Sequence, residues 1–110
     1  MLDKTEKMNQ LLDRYEELLT EKQRDVMSLY YRDDLSLREI AQELSISHNA
    51  VFDLIKRTEK LLTTMEEKLG QNEYYYLVQA MIRDLKSLNL PQVNDIIEAF
   101  ENNLGGKENE

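Results

Sequence analysis

The sequence predicts an all-α fold of about six helices, and three observations carry that prediction. Three glycines and one proline among 110 residues leave few of the turn-formers that an all-β domain needs. Apolar residues recur at intervals of three and four, and alternating apolar-polar runs are absent. Capping residues stand at the starts of the periodic segments, in places as complete capping boxes. Hydrophobic residues make up 41% and charged residues 33%, a globular balance. At this length the chain can bury a core without metal or disulfide staples.

Met8, Leu11, Leu12, Tyr15, Leu18 and Leu19 share one helix face, so a first helix runs from about Asp3 to Leu18. In "TEKQ" the Thr20 hydroxyl can accept from the amide three residues on, while Gln23 reaches back. That box opens a second helix carrying Val26, Leu29 and Tyr30. "RDDLS" breaks the periodicity, because Asp33 and Asp34 compete by bonding their own backbone. Ser36 and Glu39 form another box, opening a short third helix with Leu37, Ile40, Ala41 and Leu44 inward. Ser47 caps a fourth helix of about 22 residues, close to 33 Å long. Its stripe is Val51, Leu54, Ile55, Thr58, Leu61, Leu62, Met65 and Leu69, and Gly70 supplies the left-handed stop. Asn72 caps a fifth helix with Tyr74, Leu77, Val78, Met81, Leu85 and Leu88 on one side. Pro91 suits the first turn of a sixth, which bears Val93, Ile96, Ile97, Phe100 and Leu104. Residues 1–104 are thus expected as a single helical domain, in which 19–60 is a helix-turn-helix unit and 72–104 a helical pair. "GGKENE", residues 105–110, reads as a disordered tail.

The third and fourth helices meet the steric demands of a helix-turn-helix over Leu37 to about Lys60. Two helices crossing steeply admit only a small side chain where their axes approach, and Ala41 stands there. The turn needs a compact polar residue and then a buried apolar one, which Ser45 and Ile46 supply. Val51 and Leu54 have the spacing to plug back against Ile40 and Leu44. The turn position that often carries glycine holds Ser45, at a cost of ~1 kcal/mol if its backbone is left-handed.

"LTEKQRDVMSLYYRDDLSLREIAQELSISHNAVFDLIKRTEKLL", Leu19 to Leu62, resembles region 4 of the sigma-70 family of bacterial transcription initiation factors. It carries the LTxxQRxVxxLxY opening, the SxxEIAxxLxIS centre and the AVxxxIKR continuation. The flanking helices do not resemble a full sigma factor, and no segment is left over for promoter melting. The whole layout, one helix before the unit and two after it, is similar instead to the YlxM family of small bacterial proteins. That family is linked to the signal recognition particle pathway by gene neighbourhood, and no catalytic activity is attributed to it. The resemblance implies a DNA- or RNA-binding regulator.

In such a motif, residues near the start of the second helix touch base edges. Ser47, His48, Asn49, Phe52 and Asp53 occupy that stretch. Asn49 could pair with adenine and Phe52 could meet a thymine methyl, while Asp53 has the wrong sign for phosphate unless it accepts from a cytosine amine. Arg38, Lys56, Arg57 and Lys60 make a small basic patch for phosphate. The field around it is acidic. The chain has a formal charge of -8 and a pI near 4.7. Residues 20–60 carry seven basic and eight acidic side chains, and residues 61–110 carry four and nine. Tight DNA binding by a single copy is therefore not expected.

Other chemistries find no support. There is no cysteine, one histidine (His48), no glycine-rich phosphate loop, and no catalytic or metal-ligand motif. The expectations are no enzyme, no cofactor, no metal and no small-molecule substrate. No stretch approaches the ~20 apolar residues of a membrane span, and the N-terminus is too charged for a signal peptide, so a cytoplasmic protein is expected. Tyr74, Tyr75 and Tyr76 fan out over ~200° of helix, which suits one for the core and another for a neighbour or second subunit. Long stripes on the first, fourth, fifth and sixth helices exceed what one small motif covers. A homodimer is expected, with Tyr74, Leu77, Val78, Met81, Leu85, Val93, Ile96, Ile97 and Phe100 as its interface. The reading is a DNA- or structured-RNA-binding regulator that acts, as the resemblance implies, in the signal recognition particle pathway, with a particle component as a candidate partner. The competing reading is an acidic module docking a basic partner, a particle component or GTPase, through its C-terminal helices.

Overall fold

The computed structural model describes residues 2–108, with side chains through Leu104, and shows six α-helices and no strand among the described residues. They are α1 (Lys4–Tyr15), α2 (Glu21–Met27), α3 (Leu37–Leu44), α4 (His48–Leu69), α5 (Gln71–Lys86) and α6 (Pro91–Glu108). The all-α expectation holds. The chain divides into two compact units, Met1–Asn72 and Glu73–Glu110. No described helix is long and apolar enough to cross a membrane.

The first unit is set by its caps. Asp3 accepts from the Glu6 amide at 2.8 Å, and both capping boxes close reciprocally, Thr20 with Gln23 and Ser36 with Glu39. Hydrogen bonding from the Ser36 backbone, and then its hydroxyl, holds the Glu39 carboxyl below its usual range. Leu12, Val26, Met27, Ile40, Val51 and Leu62 are fully buried at the centre of one continuous core. One boundary and one buried position differ from expectation. The first helix ends at Tyr15, and Glu16–Leu18 tighten into a 3₁₀ turn. Its faster rotation per residue throws Leu18 outward, 62% exposed, and brings Leu19 in. At the far end of α4, Leu69 is half-exposed and leaves the expected stripe.

Between α2 and α3 the chain makes a π-helical turn, Ser28–Arg32, with the Asp33 amide donating to Ser28 O at 3.0 Å. A π turn accommodates one extra residue. Tyr31, five residues after Val26, therefore reaches the core, while Leu29 and Tyr30 stop at its rim. The same turn aims Arg32 at α1. Its guanidinium donates to both Glu16 oxygens, at 3.2 and 2.7 Å, and to Asp13 at 2.9 Å. The Arg32 hydrogen bonds hold the Glu16 carboxyl below its usual range.

Gly70, at φ +60°, ends α4 as expected. Asn72 is not the cap of α5, which begins one residue earlier at Gln71. The Gln71 amide donates to the Tyr15 hydroxyl at 3.0 Å, and the Asn72 amide to Glu66 Oε1 at 3.0 Å. Side chains from α1 and α4 thus do the capping expected of Asn72. Tyr15 in turn donates to Glu66 Oε1 at 2.6 Å. Burial first, and that hydrogen bond second, push the Tyr15 phenol above its usual pKa.

In the second unit the inward apolar side chains are Ile82 and Ile97, with Val78, Leu85 and Val93 half-buried. Tyr74, Leu77, Met81, Leu88, Ile96, Phe100 and Leu104 are exposed, so the stripe expected on α5 is turned by about one residue. All three of Tyr74, Tyr75 and Tyr76 are exposed, and none takes the core place expected of one of them. Lys86 pairs with Glu101 across the two helices at 3.3 Å. Asn89, at φ +55°, turns the chain between them. The sixth helix starts at Pro91 and continues to Glu108, so residues 105–108 of the expected disordered tail have helical backbone. Residues 109 and 110 of that tail lie outside the described residues.

Candidate nucleic-acid interface

The turn between α3 and α4 closes by two backbone bonds. The Ile46 amide donates to Ala41 O at 3.1 Å, and the Ser45 amide to Gln42 O at 3.4 Å. This six-to-one, five-to-two pattern requires a left-handed residue between them, and Ser45 sits at φ +56°, ψ +43°. Ile46 then packs against the core beside Ala41, while Ile40 and Val51 are fully buried where α3 meets α4. Ala41, Leu44 and Leu54 are half-buried against the same core.

Ser47 accepts from the Ala50 amide at 3.0 Å and so starts α4. Its oxygen is thereby engaged in capping, which leaves its hydroxyl proton for a partner. His48, Asn49, Phe52, Lys56, Arg57 and Lys60 are all exposed along α4, and Arg38 is exposed on α3. At ~100° per residue, Asn49, Phe52, Lys56 and Lys60 fall within an ~80° sector of α4. His48 and Arg57 flank that sector on opposite sides.

The charges are not equally available. Arg57 Nε lies 3.0 Å from Asp53 Oδ2, one turn earlier, so this cation is already answered on its own helix. Lys56 Nζ lies 3.5 Å from Glu59 Oε1 and 5.6 Å from the centre of the Phe52 ring. Arg38 and Lys60 make no ion pair among the described residues. Asp53 thus serves to hold Arg57 in place, beyond the simple repulsion expected from its sign.

Glu59 is the residue that sequence reasoning missed. It is 8% exposed, accepts from the Tyr31 hydroxyl, and has Lys4 Nζ at 3.4 Å as well as Lys56. Burial first, and then the Glu59 hydrogen bond and charge, push the Tyr31 phenol well above its usual pKa. The signal was present: Glu59 stands four residues after Ile55 and three before Leu62, inside the buried stripe of α4. Its effect on the interface is to hold Lys56 within the reading sector.

Of the expected dimer residues, Tyr74, Leu77, Met81, Ile96 and Phe100 are exposed. Val78, Leu85 and Val93 are half-buried, and Ile97 is buried within the chain at 4% exposure.

Residues 2–103 match the family described as "UPF0122: Putative helix-turn-helix protein, YlxM / p13 like". A UPF0122 protein of Exiguobacterium sibiricum is 54% identical over 90 residues, covering 82% of this chain and 85% of that one. UPF0122 proteins of Bacillus cereus (strain AH187) and Bacillus anthracis (strain A0248) are each 53% identical over 107 residues. Those alignments cover 92% of this chain and 97% of the relatives.

Proposed function

The chain belongs to the UPF0122 family of YlxM / p13-like proteins, and from that premise we propose that it is a nucleic-acid-binding regulator working through α4. The observation that carries the reading is the exposed sector of Asn49, Phe52, Lys56 and Lys60 on α4, whose opposite face is fixed in the core after a closed turn. Asn49 has the donor and acceptor for an adenine edge, and Phe52 an apolar surface for a thymine methyl. Lys60 and Arg38 are the cations free for phosphate. The description of the family names no catalytic activity.

Few free cations mean weak binding per copy, so the regulator works as a homodimer. The second unit supports this: ten of the fourteen exposed large apolar residues among those described lie in Glu73–Glu110. A twofold pair would present two reading helices to a twofold site and double the phosphate contacts. Double substitution Leu77→Glu, Ile96→Glu leaves a monomer in light scattering at tens of micromolar, with helicity kept. A wild-type chain that is itself monomeric there refutes the dimer.

Binding is tested on the promoter of the chain's own gene and on signal recognition particle RNA, the target suggested by the resemblance, across a salt series. Phosphate contacts make log K fall linearly with log salt, and Lys60→Ala lowers that slope by about one per copy. Arg57→Ala has a smaller effect, because Asp53 already answers that charge. Absence of binding to either nucleic acid at low salt refutes the reading.

A further inference from the structure

On the other side of α3 the surface has a different character. Two adjoining hollows, which share Asp25 and Leu44, lie along α2 and α3. Leu29, Leu44 and Ile46 form their apolar floor, half-buried and seated on the core, so the floor is preformed. Glu21, Asp25, Asp33 and Glu43 stand around it, all exposed, against a single lysine, Lys22, at one end. None of those four carboxylates is in an ion pair or a side-chain hydrogen bond among the described residues. Four other acids of this unit are answered by cations: Glu16 and Asp13 by Arg32, Asp53 by Arg57, Glu59 by two lysines.

We infer that this groove docks a basic amphipathic helix of another protein, with apolar side chains on the floor and Lys or Arg against the acidic rim. An apolar floor with a charged rim is the form of groove that the apolar face of an amphipathic helix enters. The rim selects the sign of the partner and repels phosphate, so nucleic acid is excluded from this side. Glu43 and Arg38 are five residues apart on α3, ~140° around the helix, so the groove lies on a different face of α3 from the candidate phosphate contact Arg38. One unit can therefore hold nucleic acid and a basic protein at once. This inference stands whether or not α4 binds nucleic acid, because none of its residues belongs to the reading sector.

The test uses the full chain, labelled for amide NMR, and a helical peptide of leucine and lysine about four turns long. Saturable shifts at Leu29, Leu44 and Ile46, with Asn49 and Lys60 still, are the expected result. Asp25→Lys with Glu43→Lys weakens the peptide about tenfold, roughly 1.4 kcal/mol, with helicity unchanged. Should that reversal unfold the chain, Asp25→Asn with Glu43→Gln carries the same comparison with about threefold loss. Three results overturn the inference. Polylysine of equal charge binding as tightly would show that the floor adds nothing. Shifts spread over α5 and α6 would mean generic attraction to acid. Self-association abolished by the charge reversal would make the occupant a second copy.

Discussion

Leu12 and Leu77 both sit on regular helical stripes, yet one is fully buried and the other is 62% exposed. The contrast runs through their units. Met1–Asn72 closes a continuous core with caps at each helix start and side-chain bonds between distant segments. Glu73–Glu110 buries Ile82 and Ile97 and leaves a row of aliphatic and aromatic side chains in water. Equal amphipathicity in the sequence therefore hides two different states of completion. A stripe records that a face needs covering; it does not say whether the cover comes from the same chain. For the second unit we propose that it comes from another copy.

The largest effect separates the two leucines. Leu12→Ala leaves a cavity in a closed core and costs about 2–5 kcal/mol in urea unfolding. Leu77→Ala leaves no cavity in one chain, and at low protein concentration it should change stability by less than about 0.5 kcal/mol. Its cost should grow as the protein is concentrated, because the covering copy then contributes. Equal costs for both substitutions at every concentration would break the contrast.

Next come the tyrosines. Tyr31→Phe removes a donor from Glu59 and leaves a buried carboxylate short of a partner, at about 1–3 kcal/mol. Tyr74→Phe in the second unit alters an exposed ring and should cost less than about 0.5 kcal/mol. Alkali sharpens the difference. The folded pKa of Tyr31 is raised, so its contribution is complete below the ordinary tyrosine value near 10. It is lost as pH climbs from there toward the folded value. Phenolate absorbance of Tyr31 should therefore appear together with unfolding, and Tyr31→Phe should flatten the alkaline slope.

The residues that were legible in the sequence are those whose role is local. Thr20, Ser36 and Ser47 bond amides three residues away, so the cap and its partner lie in one short string. The helix-turn-helix was legible for the same reason, since Ala41, Ser45, Ile46 and Val51 act within eleven positions. For Glu59 only its place in the stripe of α4 was legible; its partners Tyr31 and Lys4 arrive from other segments. The π turn that delivers Tyr31 adds one residue to a helix, a shift that a fixed spacing of three and four does not contain. In the candidate site, Arg38, His48, Asn49, Phe52, Lys56, Arg57 and Lys60 are exposed. Which cations were already paired depended on rotamers along α4 and on the inward turn of Glu59.

Ion pairs give a smaller separation. Arg32 grips Glu16 with two nitrogens and Asp13 with one, while Lys86 and Glu101 meet by a single contact between half-exposed groups. Arg32→Gln should cost up to about 1 kcal/mol and Lys86→Gln less than about 0.5. The folded pKa of Glu16 is lowered, so its contribution is complete above the ordinary value near 4.5 and is lost as pH falls through the folded value. Arg32→Gln should remove part of the acid slope of stability in that window. An unchanged slope would mean that the bridge forms in the unfolded chain as well.

The finest separation lies between left-handed residues. Gly70 has open space where a Cβ would stand, so Gly70→Ala tests backbone strain alone and should cost about 1 kcal/mol. Ser45 already bears that strain at φ +56° inside the helix-turn-helix. Ser45→Gly relieves about 1–2 kcal/mol of strain and returns about 0.4–1 through the freer unfolded chain, a net gain near 0.5 kcal/mol. Asn89 holds nearly the same angle, φ +55°, between α5 and α6. Asparagine tolerates that region better than serine, because its short side chain bonds locally, so Asn89→Gly should gain nothing measurable. The asymmetry places the relievable strain in the closed unit, at the turn that aims α4. A gain from Asn89→Gly equal to that from Ser45→Gly would show that the two turns are held with the same strain, and the turn that aims the reading helix would then have no special tension to release.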